Sequence, residues 1–433
     1  MKNIFYNTLK YILKILSKAT IKKYKPKVIG ITGNVGKTST KKTLYTILKE
    51  KRNVRASPKS FNNEIGLPLA ILGDYKKTGS LFFWVKVISF SIFQLIFKRS
   101  SYPEILILEY GIDKPGDMDR LLEIAKPRHG IVTAMGKVPS HIEFFPSRKA
   151  LVREKTKMVK SLPATGFVVL NADDASVYGM SEKTRAKPIT FGFEDDADMK
   201  ITNFETVEDE KSTGISFKLS FGGSLAPVRI DDVVGKSQAY SAAAASALGS
   251  AMELNLVDIS ESFDHHEPPK GRLRVIDGIK GVRIIDDTYN SSPLSVEKAF
   301  EAVSQLEAKR KIAVLGDMLE LGQHTLDAHK EVGKNAEEHF DKLITVGMRA
   351  KFIAEGAKEA GMNQEKINVF ENIKEAGIFL QGKIQEDDLI LIKASQAVRL
   401  EKVTKEIMEN PEKANDLLVR QSESWLQKDG VYE

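Results

Sequence analysis

An apolar run at 27–32 (KVIGIT) breaks into Gly33-Asn34-Val35-Gly36-Lys37-Thr38-Ser39-Thr40, and helix-forming sequence follows at once. A β-branched run that turns on glycines into a helix commits the chain to a strand-loop-helix unit. Such a strand hides both faces only inside a sheet of parallel neighbours. The loop also has a chemical reading. Gly30, Gly33 and Gly36 free the backbone amides to turn towards phosphate oxygens, and the helix N-terminus adds partial positive charge. Lys37 is placed to reach terminal phosphates and Thr38 to hold Mg2+. The spacing is a variant, with Ile31 where the strict pattern has its first glycine. An ordinary Gly-rich turn is the alternative, but GKT between a strand and a helix favours ATP, held by Thr32, Gly33, Asn34, Val35, Gly36, Lys37, Thr38 and Ser39.

The same alternation recurs along the chain. Short β-branched runs at 105–109, 130–133 and 167–171 are each followed by helix-length sequence, which predicts a mostly parallel sheet with helices on both faces. A more polar stretch, 195–232, alternates around Gly214, Gly222 and Gly223 and reads as a hairpin-rich edge. The segment 264–271 (DHHEPPKG) suits a domain linker, and beyond it strands are expected at 281–286, 311–315, 342–346, 366–370 and 388–393. The fold class is therefore α/β in two domains, as 433 residues allow at about 150 per domain. The chain has no cysteine, which excludes disulfides, thiolate zinc and a cysteine nucleophile. A net charge of +7 is too diffuse to argue a nucleic-acid partner.

That charge is front-loaded. Residues 1–27 carry eight lysines and no acidic residue, with Phe5, Leu9, Ile12, Leu13 and Leu16 at helical spacing. Residues 1–26 thus read as a basic amphipathic helix that lies on an anionic membrane or docks on its own domain. A second apolar segment, 81–97 (LFFWVKVISFSIFQLIF), falls short of the ~20 residues that span a bilayer and contains Lys86, Ser89, Ser91 and Gln94. A buried or membrane-dipping helix is expected there. No cleavable signal pattern is present, so the expected location is cytoplasmic, with peripheral contact to the inner membrane face through 1–26 and 81–97 as the open alternative.

TGNVGKTST resembles the ATP loop of the Mur ligases, the ATP-dependent amide-forming enzymes of peptidoglycan precursor synthesis. The segments 61–68 (FNNEIGLP), 286–293 (DDTYNSSP) and 314–322 (VLGDMLELG) are similar to the branch that adds D-alanyl-D-alanine to a muramoyl tripeptide. The resemblance implies a central P-loop ATPase domain over 27–265, with an apolar insertion at 78–100, and a C-terminal Rossmann-like α/β domain over 270–433. It implies ATP and Mg2+ as cofactors, a muramoyl-peptide precursor and D-alanyl-D-alanine as substrates, and an acyl-phosphate intermediate. Thr38 would hold one metal ion, with Glu109 and His141 as ligands of a second. On the residues alone, the alternatives are a strand-end ion pair for Glu109 and a surface imidazole for His141.

Lys155 matches the lysine that this family often carries as a carbamate, against the plain alternative of a solvated charge on a Lys-rich helix. Lys37, His141 and Lys155 are the catalytic candidates. From the second domain, Arg272 looks like the family's phosphate-contacting arginine and Asp287 like its ribose-binding carboxylate. Gln238 takes the adenine-side position. Asn62, Asn63, Tyr289, Asn290, Lys393 and Ser395 would face the peptide substrates.

The sequence also departs from the pattern. Only 26 residues precede the first strand, so the family's own N-terminal UDP-sugar-binding domain is expected to be absent. The adenine-side segment reads Gly235-Lys236-Ser237-Gln238-Ala239-Tyr240-Ser241, with Ser241 replacing an amide, and Ala394 replaces a glycine. The stretch 136–141 before His141 is longer than expected. The same chemistry on a different or lipid-linked peptide is the second reading, and a nucleotide-binding scaffold without catalysis the third.

Overall fold

The computed structural model describes residues 2–57, 60–75, 79–97, 101–136, 141–209 and 212–427. Two sheets organise it, one on each side of 264–271. The first is built from β1 (Lys27–Thr32), β2 (Val54–Ala56), β3 (Ile105–Glu109), β4 (His129–Val132), β5 (Phe167–Asn171), β6 (Lys187–Gly192), β7 (Met199–Glu208), β8 (Thr213–Phe221) and β9 (Ser224–Asp231). Their order is β2-β3-β1-β4-β5-β6-β7-β8-β9. Pairing is parallel from β2 through β7 and antiparallel from β7 to β9, so the polar stretch forms the expected hairpin edge.

Strand β1 sits between β3 and β4, and five of its six residues are buried. That position explains its unbroken apolar run: a strand covered on both faces needs no polar alternation. The loop leaving it requires glycine at two points. Gly33 has φ +133° and a Cβ there would meet Thr133 Oγ1 at 2.0 Å, while Gly36 has φ +90° and caps the helix Lys37–Lys49. That helix and the Ala-rich helix Lys236–Ala251 pack on one face around Leu44, Leu48, Ala243 and Leu248. The helices Asp117–Ile124 and Arg148–Ser161 close the other around Leu121, Met158 and Leu162.

The second sheet comprises β10 (Arg274–Asp277), β11 (Arg283–Asp287), β12 (Arg310–Gly316), β13 (Lys342–Val346), β14 (Ile367–Phe370) and β15 (Asp388–Lys393), in the order β10-β11-β15-β12-β13-β14. Only β10 is antiparallel. The short strands β2 and β10 have no readable pattern of their own, because three or four residues at an edge carry too little periodicity. Strand β6 is likewise unexpected from the sequence. Its residues KPITFG are half exposed, with Pro188 tolerated near the strand start.

The N-terminal segment is a helix, Lys2–Tyr24, and it docks on its own domain. Leu9, Leu13 and Leu16 pack with Ile65, Leu69 and Leu72, and with Trp84 and Val87 of a second helix, Leu81–Ile96. Lys10 pairs with Glu64 at 2.9 Å and Lys23 Nζ donates to the carbonyls of Gln94 and Leu95. Tyr24 stacks on Tyr102 with ring centres 4.2 Å apart. Among the described residues no helix is long and apolar enough to cross a membrane. Residues 78, 98–100 and 137–140, which belong to the expected insertion and to the stretch before His141, lie outside the described residues.

Candidate active site

The phosphate loop is pinned from below before any ligand is considered. Thr32 Oγ1 donates to Tyr110 O at 2.9 Å, and the amides of Asn34 and Val35 donate to Ala134 O. Asn34 Nδ2 donates to Met135 O, leaving its Oδ1 buried without a partner. Ser39 is buried, and its carbonyl accepts from Thr43 Oγ1. Lys37 folds back over the loop, its Nζ donating to Gly33 O at 2.7 Å and Asn34 O at 3.1 Å. Burial pulls that ammonium down to about 8, against the attraction of Glu109 and with the help of Arg272. Desolvated and, among the described residues, bonded only to carbonyls, Lys37 gains by meeting an anion.

Glu109 ends β3 beside the loop and is almost fully buried. Its Oε2 lies 3.4 Å from Thr38 Oγ1, and its Oε1 lies 2.7 Å from Lys41 Nζ. Lys41 itself is buried and also donates to Ser57 Oγ. Glu109 is thus both a strand-end ion pair and a neighbour of the loop threonine. A hydroxyl and a carboxylate oxygen at this separation are hard oxygen donors of the kind Mg2+ takes, so Thr38 and Glu109 fit one such ion. His141 Nδ1 is 2.8 Å from Glu320 Oε2 and 3.7 Å from Asp113 Oδ1. Contact with His141 holds the Glu320 carboxyl below its ordinary range. Among the described residues no three histidine or acidic side chains gather as a metal cluster.

Lys155 is not a solvated charge. It is buried on the helix Arg148–Ser161, and its Nζ donates to Gly33 O at 2.8 Å, the same carbonyl that Lys37 uses. Burial and the neighbouring Lys37 push it well below the ordinary lysine value.

The second domain reaches the loop directly. Ser60 Oγ lies 3.1 Å from Thr38 Oγ1 and shares a 2.5 Å hydrogen bond with Tyr289 OH. The guanidinium of Arg272 stacks over the Tyr289 ring at 4.1 Å, with its Nε buried and unpartnered. Gln238 Nε2 donates to Arg272 O at 3.1 Å, tying the helix of the first domain to the chain entering the second. Asp287 pairs with the buried Lys393 at 2.5 Å, and Lys393 also donates to Asn290 O. Ser395 Oγ accepts from Leu319 N at 2.9 Å, which anchors the 314–322 segment. Asn63 Oδ1 accepts from the amides of Ile65 and Gly66 and starts the helix Gly66–Leu72, while Asn62 packs against Gly111.

Between the two domains lies a cavity of about 1060 Å³ that opens at Val35 and Gly36. Asn171, Asp174 and Tyr240 from the first domain and Glu297 and Asn335 from the second are among its walls. Sequence reasoning missed these, and it missed Lys41, Ser60 and Glu320. Asn171 carried a signal, since polar residues at the C-terminal ends of parallel strands line ligand crevices. The others sit on helices and loops with no pattern to mark them.

Two family models match the chain: the Mur ligase middle domain over residues 90–249 and the Mur ligase glutamate ligase domain over residues 271–396. The chain belongs to the Mur ligases. The UDP-N-acetylmuramoyl-tripeptide--D-alanyl-D-alanine ligase of Bacillus subtilis (strain 168) is 28% identical over 404 residues, spanning 92% of this Mur ligase and 79% of that protein. A crystal structure of MurF ligase from Thermotoga maritima in complex with ADP superposes with a TM-score of 0.76 at 27% identity, covering 94% of this chain and 84% of that one. The MurF of Acinetobacter baumannii, at 23% identity, shares the fold with a TM-score of 0.75 over 91% of this chain and 79% of its own. This Mur ligase is an ATP-dependent, ADP-forming enzyme.

Proposed function

We propose that this Mur ligase joins D-alanyl-D-alanine to a UDP-N-acetylmuramoyl tripeptide, the reaction named for its curated relatives. The observation that carries the reading is the run of contacts from Thr38 through Ser60 to Tyr289 and Arg272, which joins the phosphate loop to the 286–293 segment. In this reading 27–265 binds ATP, 270–433 brings the second half of the site, and the reaction runs in the cytoplasm.

The chemistry follows from these residues. A carboxylate oxygen of the tripeptide attacks the γ-phosphorus of ATP, ADP leaves, and an acyl phosphate forms. The amine of D-alanyl-D-alanine then attacks the acyl carbon, loses a proton, and expels phosphate. Lys37 trades its loop carbonyls for phosphate oxygens, and Arg272 faces the same charge from the other domain. Bound Mg2+ neutralises phosphate charge, and Thr38 and Glu109 would hold it. Lys155, buried and with its ammonium form disfavoured by that burial, is chemically able to take up CO2 as a carbamate, which would place an anion beside Lys37. Closing the cleft excludes water from the acyl phosphate.

The test is phosphate release from Mg-ATP by the full chain. Release should require both the muramoyl tripeptide and D-alanyl-D-alanine, and omission of either should silence it. Release with another peptide acceptor in place of the muramoyl tripeptide would favour the second reading, a ligase of altered or lipid-linked substrate. The apolar surface described next is the observation on that reading's side.

A further inference from the structure

The helix Leu81–Ile96 is apolar on its outer side as well as its buried one. Its buried face includes Ser91 and Gln94 beside Trp84 and Val87, whereas its outer face presents Leu81, Phe82, Val85, Ile92, Phe93 and Ile96 to solvent. Phe82 is 78% exposed and Ile96 68%. A surface helix normally turns its polar side outward, and an exposed apolar stripe of this kind marks a docking surface. The N-terminal helix beside it adds exposed Phe5, Tyr6, Tyr11 and Ile15. At 16 residues, Leu81–Ile96 is about 24 Å long, short of the ~30 Å hydrocarbon core.

The charge identifies the occupant. Residues 1–27 and 75–103 together carry thirteen lysines and arginines and no acidic residue, so with +7 overall the rest of the chain is net acidic. Lys18, Lys22, Lys25 and Lys27 are exposed on and just after the N-terminal helix, and Lys86 lies on the apolar helix itself. A second copy docked through this face would set cations against cations. An anionic lipid surface satisfies both features, apolar side chains entering the acyl boundary and lysines meeting headgroups.

We infer that the two helices form a membrane-docking platform that seats the enzyme on an anionic bilayer surface without crossing it. The platform is wired to the site: Lys10 pairs with Glu64, and Ile65 packs beneath the same helix, so docking bears on the 61–66 segment that holds Asn62 and Asn63. The inference does not rest on which peptide the enzyme joins.

The test is co-sedimentation of the full chain with vesicles of phosphatidylcholine alone or with one quarter phosphatidylglycerol. At 0.1 M salt the protein should pellet with the anionic vesicles and bind neutral ones at least tenfold more weakly. Binding should fall at 1 M salt, where the Debye length drops to about 3 Å. The triple variant Phe82→Ser, Phe93→Ser, Ile96→Ser removes only exposed side chains. It should lose at least tenfold in vesicle binding while ATP turnover stays unchanged. Failure of the wild-type chain to bind anionic vesicles would overturn the inference, as would equal binding by the triple variant. So would a wild-type dimer in sedimentation velocity that the triple variant converts to monomer, because a second copy would then cover the face. None of these readouts depends on peptide ligation, so failure here and failure of the ligase reading are distinguishable.

Discussion

Lys41 Nζ lies 2.7 Å from Glu109 Oε1, and both side chains are buried. The pair fixes one carboxylate oxygen and leaves the other aimed at Thr38 Oγ1. Removing one partner of a buried pair strands the other charge, at a cost of about 3–5 kcal/mol. Lys41→Met should therefore lower the thermal denaturation midpoint by several degrees. Lys42→Met, beside it on a more exposed face, should change it little.

Lys37 has a folded-state pKa of about 8, below the 10.5 of a free lysine. Between those values the unfolded chain binds more protons, so this group's contribution to stability rises with pH across that window. Below pH 8 the ligand-free enzyme carries its cost, about 3 kcal/mol. Denaturant midpoints should show Lys37→Met more stable than the wild type at pH 7 without nucleotide, with the gap closing by pH 10.5. The same position is needed for phosphoryl transfer, so Lys37→Ala should reduce ATP turnover by about 10²–10³-fold. Unchanged turnover would remove Lys37 from the site.

Tyr289 works through two ends. Tyr289→Phe keeps the ring under Arg272 and loses only the hydroxyl contact to Ser60, worth about 1 kcal/mol, so kcat/KM for ATP should fall roughly fivefold. Tyr289→Ala removes the stacking as well and should cost more. Steady-state kinetics of the two variants separate the contributions.

Burial, with the neighbouring Lys37, pushes the Lys155 amine well below the ordinary lysine value. Labelled 13C-bicarbonate should give a carbamate carbon signal in the wild type that Lys155→Ala lacks, and activity should fall in CO2-depleted buffer. A signal that survives the substitution would assign the modification elsewhere.

The phosphate loop was legible because its residues are contiguous: a buried strand, glycines at positive φ and a helix start are written within fourteen residues. The α/β fold was legible for a related reason, since central strands of a parallel sheet read as continuous apolar runs. Edge strands such as Arg274–Asp277 were not, being too short to show a period. Pairings such as Ser60 with Tyr289 and His141 with Glu320 join residues far apart in sequence, and only the packing of one domain on the other creates them. The N-terminal helix was readable as amphipathic, but its partner, the helix Leu81–Ile96, is apolar on both sides and buries Ser91 and Gln94, so no local pattern could orient it.

Amide ligation by this Mur ligase should pass through an acyl phosphate. The direct measurement is mass spectrometry of the products formed from Mg-ATP, D-alanyl-D-alanine and UDP-N-acetylmuramoyl tripeptide bearing 18O in the reacting carboxylate. A pentapeptide product should keep one 18O, with the other in the released phosphate. No pentapeptide, or a pentapeptide accompanied by unlabelled phosphate, would contradict it.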